Sequence, residues 1–173
     1  MYKMTYILDA CAIIALINKE PGADKIINML EQAAAGEITI AMSTVNFIET
    51  YYDQLRSKTP AEVQEFLELI SISPINMIHT IVEAVTRETS RLKAAYSISL
   101  ADAIGIGTAI NLNGVFVTGD GELIEPETVE HAPILWFRPP KEKKAKALRR
   151  TLEEAERELA DAKRRIAELE AKK

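Results

Sequence analysis

The sequence predicts an α/β fold of three layers, in which a parallel sheet of about five strands lies between helices. Two observations support this prediction. Short apolar runs alternate with amphipathic helical segments over the first 138 residues, and repeated strand–helix–strand units form parallel sheets with helices on both faces. The run VFVT at 115–118 contains only β-branched and aromatic residues, which is typical of a strand buried on both faces.

The first half of the chain is predicted to form two strands and three helices. The strands are short apolar runs, whereas the helices carry apolar residues three or four positions apart. Gly36 marks the end of the second helix, because glycine commonly terminates helices. Ser43 or Thr44 is a suitable cap for the third helix. In chain order these elements are strand 5–8, helix 11–19, helix 23–35, strand 38–42 and helix 45–56.

The second half of the body is predicted to form three helices and three strands. Pro60 stands where a helix can begin, because proline is tolerated in the first helical turn. Pro74 is taken as the end of a short strand, and Ser99 as the cap of a helix. In chain order these elements are helix 61–69, strand 71–73, helix 77–95, helix 100–111, strand 115–118 and strand 134–137.

Residues 139–173 are predicted to form a separate, heptad-patterned C-terminal helix attached to a domain at 1–138. After Pro139-Pro140 the chain consists almost entirely of Ala, Glu, Lys, Arg and Leu. Its apolar positions are spaced alternately four and three apart, which is the repeat of a coiled coil. We interpret this long helix as an oligomerisation or partner-binding arm, with packing on its own domain and an engineered extension as alternatives. The apolar positions are Leu148, Leu152, Ala155, Leu159, Ala162, Ile166 and Leu169.

The composition predicts a cytoplasmic protein that does not associate with membranes. Cys11 is the single cysteine, which excludes an intramolecular disulfide and suits a reducing compartment. The N-terminus lacks the pattern of a signal peptide, and no apolar run in the sequence reaches the length needed to cross a membrane.

Charge is unevenly distributed along the chain. The net charge is −5, but residues 1–140 contain 9 basic and 18 acidic residues, a balance of −9. Residues 141–173 contain 12 basic and 8 acidic residues, a balance of +4. Phosphate contacts normally come from lysine and arginine, so the acidic body argues against nucleic-acid binding through overall charge. Candidates to supply these contacts from a neighbouring chain are Lys141, Lys143, Lys144 and Lys146.

Four acidic residues carry most of the functional information: Asp9, Glu49, Asp102 and Asp120. Asp9 and Asp120 follow apolar strands, and the other two lie early in helices. The carboxyl ends of parallel strands meet along one edge of a sheet, where such folds place their sites. Converging carboxylates repel one another and are normally neutralised by a divalent metal ion. The pattern therefore indicates metal-dependent chemistry on phosphates.

Each of these acids also has a structural interpretation. Asp9 and Asp102 could cap the helices that follow them, and Asp120 could stabilise a turn. Glu49 is surrounded by apolar and aromatic residues, where an unpaired carboxylate is costly. Cys11 is assigned to the hydrophobic core. The interpretation that all four acids are purely structural is less favoured than a common site.

The motifs together resemble those of a known family. LDACAIIAL near the N-terminus, STVNFIE, SLADAIGIGTAI and VFVTGDGEL occur in this order, and they are similar to the motifs of the PIN domain, most closely of the small VapC-like toxin ribonucleases. The resemblance extends from about Tyr6 to Phe137. It implies a parallel sheet of about five strands and Mg²⁺- or Mn²⁺-dependent cleavage of RNA.

The resemblance also implies roles for individual residues. The four family acids fall on Asp9, Glu49, Asp102 and Asp120, and the family's hydroxyl residue two positions before the last acid falls on Thr118. The sequence departs from the family at 10–11, where Ala and Cys stand in place of the usual Ser, Thr or Asn. Loss of a supporting hydroxyl there could weaken the positioning of a metal ion.

The favoured hypothesis is a metal-dependent endoribonuclease that acts as the toxin of a toxin–antitoxin pair. The resemblance implies a protein antitoxin, an RNA substrate and a homodimer or higher homo-oligomer. The alternative is a PIN-like scaffold with weak or lost catalysis, whose coiled-coil arm drives assembly. Metal-dependent cleavage of DNA or of a small phosphate ester would use the same acids.

Overall fold

The computed structural model describes residues 3–124, 132–139, 153 and 155–165. Within these residues, helices and strands alternate along the body, as the hydrophobic periodicity predicts. In chain order the elements are β1 (Thr5–Leu8), α1 (Ala10–Ile17), α2 (Ala23–Ala34), β2 (Thr39–Ser43), α3 (Thr44–Ser57), α4 (Pro60–Ile72), β3 (Ile75–Ile78), α5 (Glu83–Ala95), α6 (Leu100–Asn111), β4 (Val115–Thr118), a 3-10 helix (Gly121–Leu123) and β5 (Ile134–Trp136).

The strands of the described residues form one parallel sheet with the order β3-β2-β1-β4-β5. β1 lies at the centre, where Ile7 is paired with Ala41 of β2 and with Phe116 of β4. The Asp9 N–H donates to the Val117 carbonyl at 3.0 Å, which extends this pairing by one residue. The carboxyl ends of β1 and β4 therefore lie side by side, and this positions the residues that follow them.

Helices cover both faces of the sheet, which confirms the three-layer α/β prediction. Leu8, Met42 and Val117 face one cluster of buried residues, which includes residues of α1, α2 and α4. Ile7 and Phe116 face the other cluster, to which α5 and α6 contribute. Adjacent residues of one strand thus enter opposite cores, because successive side chains of a strand point to opposite faces.

Local sequence explains several helix boundaries. Ser43 caps α3 by accepting a hydrogen bond from the Asn46 N–H at 3.1 Å. Thr59 and Glu62 form a reciprocal capping box at the start of α4, which has proline in its first turn. Ser99 caps α6 by accepting from the Asp102 N–H at 3.0 Å. These side chains satisfy backbone donors that the first turn of a helix leaves unpaired.

Two predicted elements near Pro74 are wrong. Residues 71–73 do not form a strand, because α4 continues to Ile72 and the Ser73 hydroxyl donates to the Leu69 carbonyl at 2.7 Å. The strand begins after the proline, at Ile75–Ile78, and pairs with β2. The predicted helix 77–95 accordingly begins only at Glu83. The residues INMI place apolar side chains at alternating positions, which is typical of a strand. The helical spacing of apolar residues further along the chain led instead to a helix being predicted from residue 77.

The prediction of a long C-terminal helix falls largely outside the described residues. Residues 153 and 155–165 are helical, and every one of them is exposed. Leu159, one of the heptad positions, is 57% exposed. The division into domains at 1–138 and 139–173 remains a prediction. Among the helices of the described residues, none has the length and apolar character required to cross a membrane.

Candidate active site

The four predicted acids line one cavity at the carboxyl edge of the sheet. This cavity has a volume of about 230 Å³ and is lined by Asp9, Glu49, Asp102 and Asp120. Of the described residues that line it, none is basic. The fold thus brings together carboxylates separated by more than one hundred residues of sequence. Other polar lining residues are Cys11, Tyr52, Asp53, Ser99 and Glu122.

Asp9 lies at the end of β1 and is 3% exposed. It occupies the N-cap position of α1, but its side chain makes no capping hydrogen bond. Its Oδ2 accepts hydrogen bonds from Thr118 Oγ1 at 2.6 Å and from Cys11 Sγ at 2.9 Å. Its Oδ1 accepts a longer bond from Asn46 Nδ2 at 3.4 Å. Three surrounding side chains therefore hold this carboxylate, which the interpretation of Asp9 as a helix cap does not predict.

Cys11 belongs to the site as well as to the edge of the core. Its half-buried thiol packs against the cluster on the α1 face, as the core assignment predicted. The thiol also donates to Asp9 and accepts a hydrogen bond from the Gly119 N–H at 3.2 Å. The departure at 10–11 therefore leaves Asp9 with a supporting donor, because the sulfur makes the contacts that a hydroxyl would make.

Thr118 links two of the acids through its hydroxyl. The side chain is fully buried at the end of β4. Its Oγ1 donates to Asp9 Oδ2 and accepts a hydrogen bond from the Asp120 N–H at 3.0 Å. The hydroxyl therefore couples the carboxylate that follows β1 to the backbone that follows β4.

Asp102 and Glu49 enter the cavity from helices. Asp102 lies in the first turn of α6 and is 5% exposed. Its backbone N–H donates to the Ser99 cap, so the cap fixes the turn that carries the carboxylate. Glu49 lies on α3, one turn after Asn46, and is half-buried. Ser99, not Asp102, is the N-cap of α6. The Asp102 carboxylate lines the cavity formed by the four acids, which we call the acid cavity.

Asp120 has a local structural role in addition to its place in the cavity. Its Oδ1 accepts a hydrogen bond from the Glu122 N–H at 3.0 Å, and this bond caps the 3-10 helix at Gly121–Leu123. The turn interpretation is therefore correct for one oxygen of this carboxylate. Because the carboxylate also lines the cavity, the turn fixes its position beside the other acids.

The electrostatics of the site disfavour several simultaneous negative charges. Burial raises the pKa of Asp9, and the charge of Asp120 raises it further. Burial, followed by the charge of Asp9, raises the pKa of Asp102 to about 7. Burial and the Asp9 charge also raise the pKa of Glu49. Burial raises the pKa of the Cys11 thiol above its usual range, with Asp9 again contributing, so the thiol keeps its proton and acts as a donor.

The donor set fits a hard divalent cation. Carboxylate oxygens are the ligands that Mg²⁺ and Mn²⁺ prefer, and a cation would offset both the burial and the repulsion that raise these pKa values. Among the described residues, no three His, Cys, Asp or Glu side chains already form a metal-ligand group.

Sequence reasoning missed Asp53 at this site. Asp53 lies on α3 four residues after Glu49, so both side chains fall on the same helical face. That spacing is a signal from which Asp53 could have been identified. Glu122 is exposed and also lines the cavity. Tyr52 also lines the cavity, with 46% of its surface exposed.

Comparison with protein-family models identifies the family of this chain. The family model of the PIN domain matches residues 6–129, most of the chain. The chain belongs to the PIN domain family, as the motifs predicted. PIN domains are generally nucleases, so membership supports an enzyme of nuclease type. No curated protein matches the chain by sequence.

Solved structures of toxin–antitoxin proteins are similar in fold. VapBC2 from Rickettsia felis, bound to a DNA fragment from their promoter, is 24% identical with a TM-score of 0.62, covering 77% of this chain and 98% of that chain. A toxin–antitoxin complex from Klebsiella pneumoniae is 16% identical with a TM-score of 0.59, covering 78% and 98%. VapBC-1 from nontypeable Haemophilus influenzae is 20% identical with a TM-score of 0.59, covering 78% and 98%. At these identities the similarity establishes the fold.

Proposed function

We propose that this PIN domain is a metal-dependent endoribonuclease that hydrolyses RNA phosphodiester bonds at the acid cavity. The observation that carries the proposal is the gathering of Asp9, Glu49, Asp102 and Asp120 around one cavity that no described basic residue lines. Such a cluster binds cations readily, because a cation offsets both the burial of the carboxylates and their mutual repulsion.

Asp9, Asp102, Asp120 and Glu49 would hold Mg²⁺ or Mn²⁺, partly through water. The ion would supply charge neutralisation at the phosphate and a lowered pKa for an attacking water. Asp9 and Asp102 are the most buried of the four acids, so their orientation is the least free to adjust. Hydrolysis by water rather than by the ribose 2′-OH leaves 5′-phosphate and 3′-hydroxyl ends.

The remaining side chains act by positioning these carboxylates. Thr118 and Cys11 orient Asp9 through the same oxygen, and Thr118 also holds the backbone of Asp120. Ser99 fixes the helical turn that bears Asp102. Because site geometry within about half an ångström matters for catalysis, loss of one of these contacts should reduce activity without removing any ligand.

We further propose that the protein is the toxin of a toxin–antitoxin pair and forms homo-oligomers. The Klebsiella pneumoniae structure of similar fold is a toxin–antitoxin complex, and VapBC proteins from two other bacteria share the fold. An unregulated ribonuclease would damage the RNA of its own cell, which is the physical reason to expect a protein inhibitor as a partner.

A substrate comparison tests the proposed chemistry. Purified protein is incubated with single-stranded RNA, structured RNA, single-stranded DNA and a small phosphodiester, each with Mg²⁺, Mn²⁺ or EDTA. We expect cleavage of RNA with either metal ion, none with EDTA, and product ends that carry 5′-phosphate and 3′-hydroxyl groups. Cleavage of DNA alone, or 2′,3′-cyclic phosphate ends, would contradict the proposal.

The alternative is a PIN-like scaffold whose C-terminal arm drives assembly. The observation that favours it is the exposed helix at 155–165, which carries Leu159 at a heptad position with 57% of its surface exposed. Light scattering of the parent and of Leu159→Asp, together with the RNA cleavage assay of the parent, separates the two functions. A lower oligomeric order in the variant, together with a parent that cleaves no RNA with any metal ion, would favour the scaffold.

A further inference from the structure

One face of α3 carries an aromatic ring and a cation beside the acid cavity. Glu49, Tyr52 and Asp53 line this cavity, and Arg56 follows one turn after Tyr52 on the same helix. At about 3.6 residues per turn, these side chains fall within roughly 100° of the helix circumference. Arg56 lies about 10 Å along the helix axis from Glu49. The face therefore leads from the acids to a positive charge.

The Tyr52 ring lines the cavity and remains accessible from solvent. The neighbouring Tyr51 is half-buried and stacks against Phe47, with ring centroids 6.0 Å apart, beside the buried cluster on the α1 face. Packing thus accounts for Tyr51, whereas Tyr52 leaves 46% of its surface exposed. A molecule that enters the acid cavity can therefore contact the Tyr52 ring.

The Arg56 guanidinium covers this ring. Its central carbon lies 5.8 Å from the centre of the Tyr52 ring, which is a cation–π contact. Asp53 lies one turn earlier, and its Oδ2 accepts a hydrogen bond from Gln54 Nε2 at 3.2 Å. Among the described residues, no carboxylate forms an ion pair with Arg56. Because the side chain is also exposed, its N–H donors are available to a ligand.

We propose that Tyr52 and Arg56 bind the RNA strand beside the acid cavity, with a nucleobase stacked on the Tyr52 ring and a backbone phosphate bound by Arg56. The inference rests on the proposed ribonuclease function and names side chains that hold its substrate. Stacking on an aromatic ring is available to any base, because every base has a π-face. The planar guanidinium suits the phosphate, because its N–H donors match phosphate oxygens in pairs.

Stacking attracts RNA where overall charge does not. No described residue that lines the acid cavity is basic, so the carboxylates alone repel a phosphate. Contact between a base and the Tyr52 ring does not depend on net charge, and Arg56 adds one phosphate contact outside the cavity lining. The strand is then held at one point beside the cavity, which brings the neighbouring phosphodiester to the acids.

A protein contact is the competing interpretation of the same ring. The exposed apolar residues Ile48 and Leu55 lie near Tyr52 on α3, so the ring could instead pack against another protein. The two interpretations differ in what removes the effect of the ring. If Tyr52 stacks a base, the ring should not contribute to the binding of an RNA backbone without bases. If it packs against protein, the bases should make no difference.

The experiment measures binding of a short fluorescein-labelled oligoadenylate by fluorescence anisotropy in EDTA, so that no metal-dependent cleavage occurs. A second probe has the same ribose-phosphate backbone and length but carries no bases. The proteins are the full-length parent, Tyr52→Phe, Tyr52→Leu and Arg56→Gln. Two controls are Leu55→Ala, exposed on the same helix, and Lys25→Gln, exposed on α2. Thermal unfolding and light scattering of each protein report its stability and oligomeric order.

We expect Tyr52→Leu to weaken binding of the oligoadenylate about tenfold, without changing the slope of log affinity against log salt. Tyr52→Phe keeps the ring and should bind as the parent does, and the probe without bases should bind equally to the parent and Tyr52→Leu. Arg56→Gln should weaken binding of both probes and reduce the slope by about 0.7. Leu55→Ala and Lys25→Gln should match the parent.

Three outcomes would contradict the proposal. Equal affinity of the parent and Tyr52→Leu for the oligoadenylate, or an equal loss on both probes, would overturn the stacking. An unchanged salt slope in Arg56→Gln would overturn the phosphate contact. A parent that binds neither probe would overturn both contacts, because neither requires a metal ion.

Cleavage assays with Mg²⁺ keep this inference distinct from the proposed function. A parent that cleaves RNA but binds it independently of Tyr52 and Arg56 would overturn only this inference. A parent that cleaves nothing, yet binds the oligoadenylate through Tyr52, would overturn only the ribonuclease and leave an RNA-binding surface.

Discussion

The buried carboxylate of Asp9 is central to the site because three donors converge on it. Thr118 and Cys11 donate to one oxygen, and Asn46 donates a longer bond to the other. The thiol at position 11 also accepts the Gly119 N–H, so it joins the residues that follow β1 to the loop that follows β4. This double role explains how a cysteine can stand where the family usually has a hydroxyl or amide.

Removal of the Cys11 thiol should lower the apparent affinity for Mg²⁺ without unfolding the protein. We expect Cys11→Ala to raise the Mg²⁺ concentration for half-maximal RNA cleavage by about tenfold, because residues that orient metal ligands typically contribute this much. Cys11→Ser retains a donor and an acceptor and should remain within a few-fold of the parent. Metal titrations of the cleavage rate measure both variants. Equal behaviour of the alanine and serine variants would show that the thiol positions nothing.

Asp102 should make the metal-free protein less stable as pH rises. Its pKa is about 7 in the folded state and 3.8 ordinarily. A raised folded-state pKa means that the folded protein binds more protons than the unfolded chain between these values, so its contribution to stability is present at low pH and is lost as pH rises through 7.

Replacing Asp102 by asparagine should therefore stabilise the metal-free protein in a pH-dependent way. We expect a gain of up to about 3 kcal/mol near pH 8 and little change near pH 4. Urea unfolding in EDTA, at several pH values between these limits, measures the difference between parent and variant. A gain independent of pH, or a loss at pH 8, would contradict the raised pKa.

At the scale of elements, α6 carries Asp102 and packs closely against β4. An added Cβ at Gly105 would lie 2.2 Å from Cε2 of Phe116 and would overlap this fully buried ring. The glycine therefore allows the helix to approach the strand, as expected for small residues inside a helix. Because Asp102 and Gly105 are one turn apart, this close packing also sets the depth of the acid relative to the sheet.

Gly105→Ala should destabilise the fold although alanine favours helices. The clash with a fully buried ring should cost about 1–3 kcal/mol, exceeding the gain of about 1 kcal/mol in helix propensity. Gly107→Ala is the matched control, since its Cβ would lie 3.1 Å from Thr89 Oγ1. Thermal or urea unfolding compares the two variants. A Gly105→Ala protein as stable as Gly107→Ala would refute the packing argument.

The elements most predictable from sequence were those with an unambiguous period or a cap. α6 was predicted at its observed bounds because Ser99 caps it and a turn follows it, and β4 because VFVT suits a doubly buried strand. The region around Pro74 was mispredicted. The strand INMI is only four residues long. Its conformation is selected by pairing with β2, a distant contact that the local spacing of apolar residues cannot show.

At the scale of the whole molecule, the order of the motifs predicted the gathering of the four acids around one cavity better than any single residue did. Each acid alone had a structural interpretation, and Asp120 does fill one. The parallel topology makes four unrelated structural roles a poor explanation of the acids, because it places the ends of β1 and β4, and so Asp9 and Asp120, side by side. The contacts of Cys11 were not predictable, since the approach of its thiol to Gly119 depends on tertiary packing across the sheet.

The distribution of charge also acquires a meaning at this scale. Residues 1–140 carry a balance of −9, whereas residues 141–173 carry a balance of +4. Attraction of cations to the body and of phosphates to the basic segment are therefore compatible. Because exposed charges are screened by salt, both effects should weaken as ionic strength increases.

The most direct test of the account compares RNA cleavage by the parent with that of single acid-to-amide variants. The variants are Asp9→Asn, Glu49→Gln, Asp102→Asn and Asp120→Asn, with the exposed Asp24→Asn on α2 as the control. We expect Mg²⁺-dependent cleavage by the parent and by Asp24→Asn, and at least a hundredfold loss in Asp9→Asn and Asp102→Asn, roughly the contribution of a key electrostatic group. Full activity in both of these variants while folded would contradict the assignment of the acid cavity as the catalytic site.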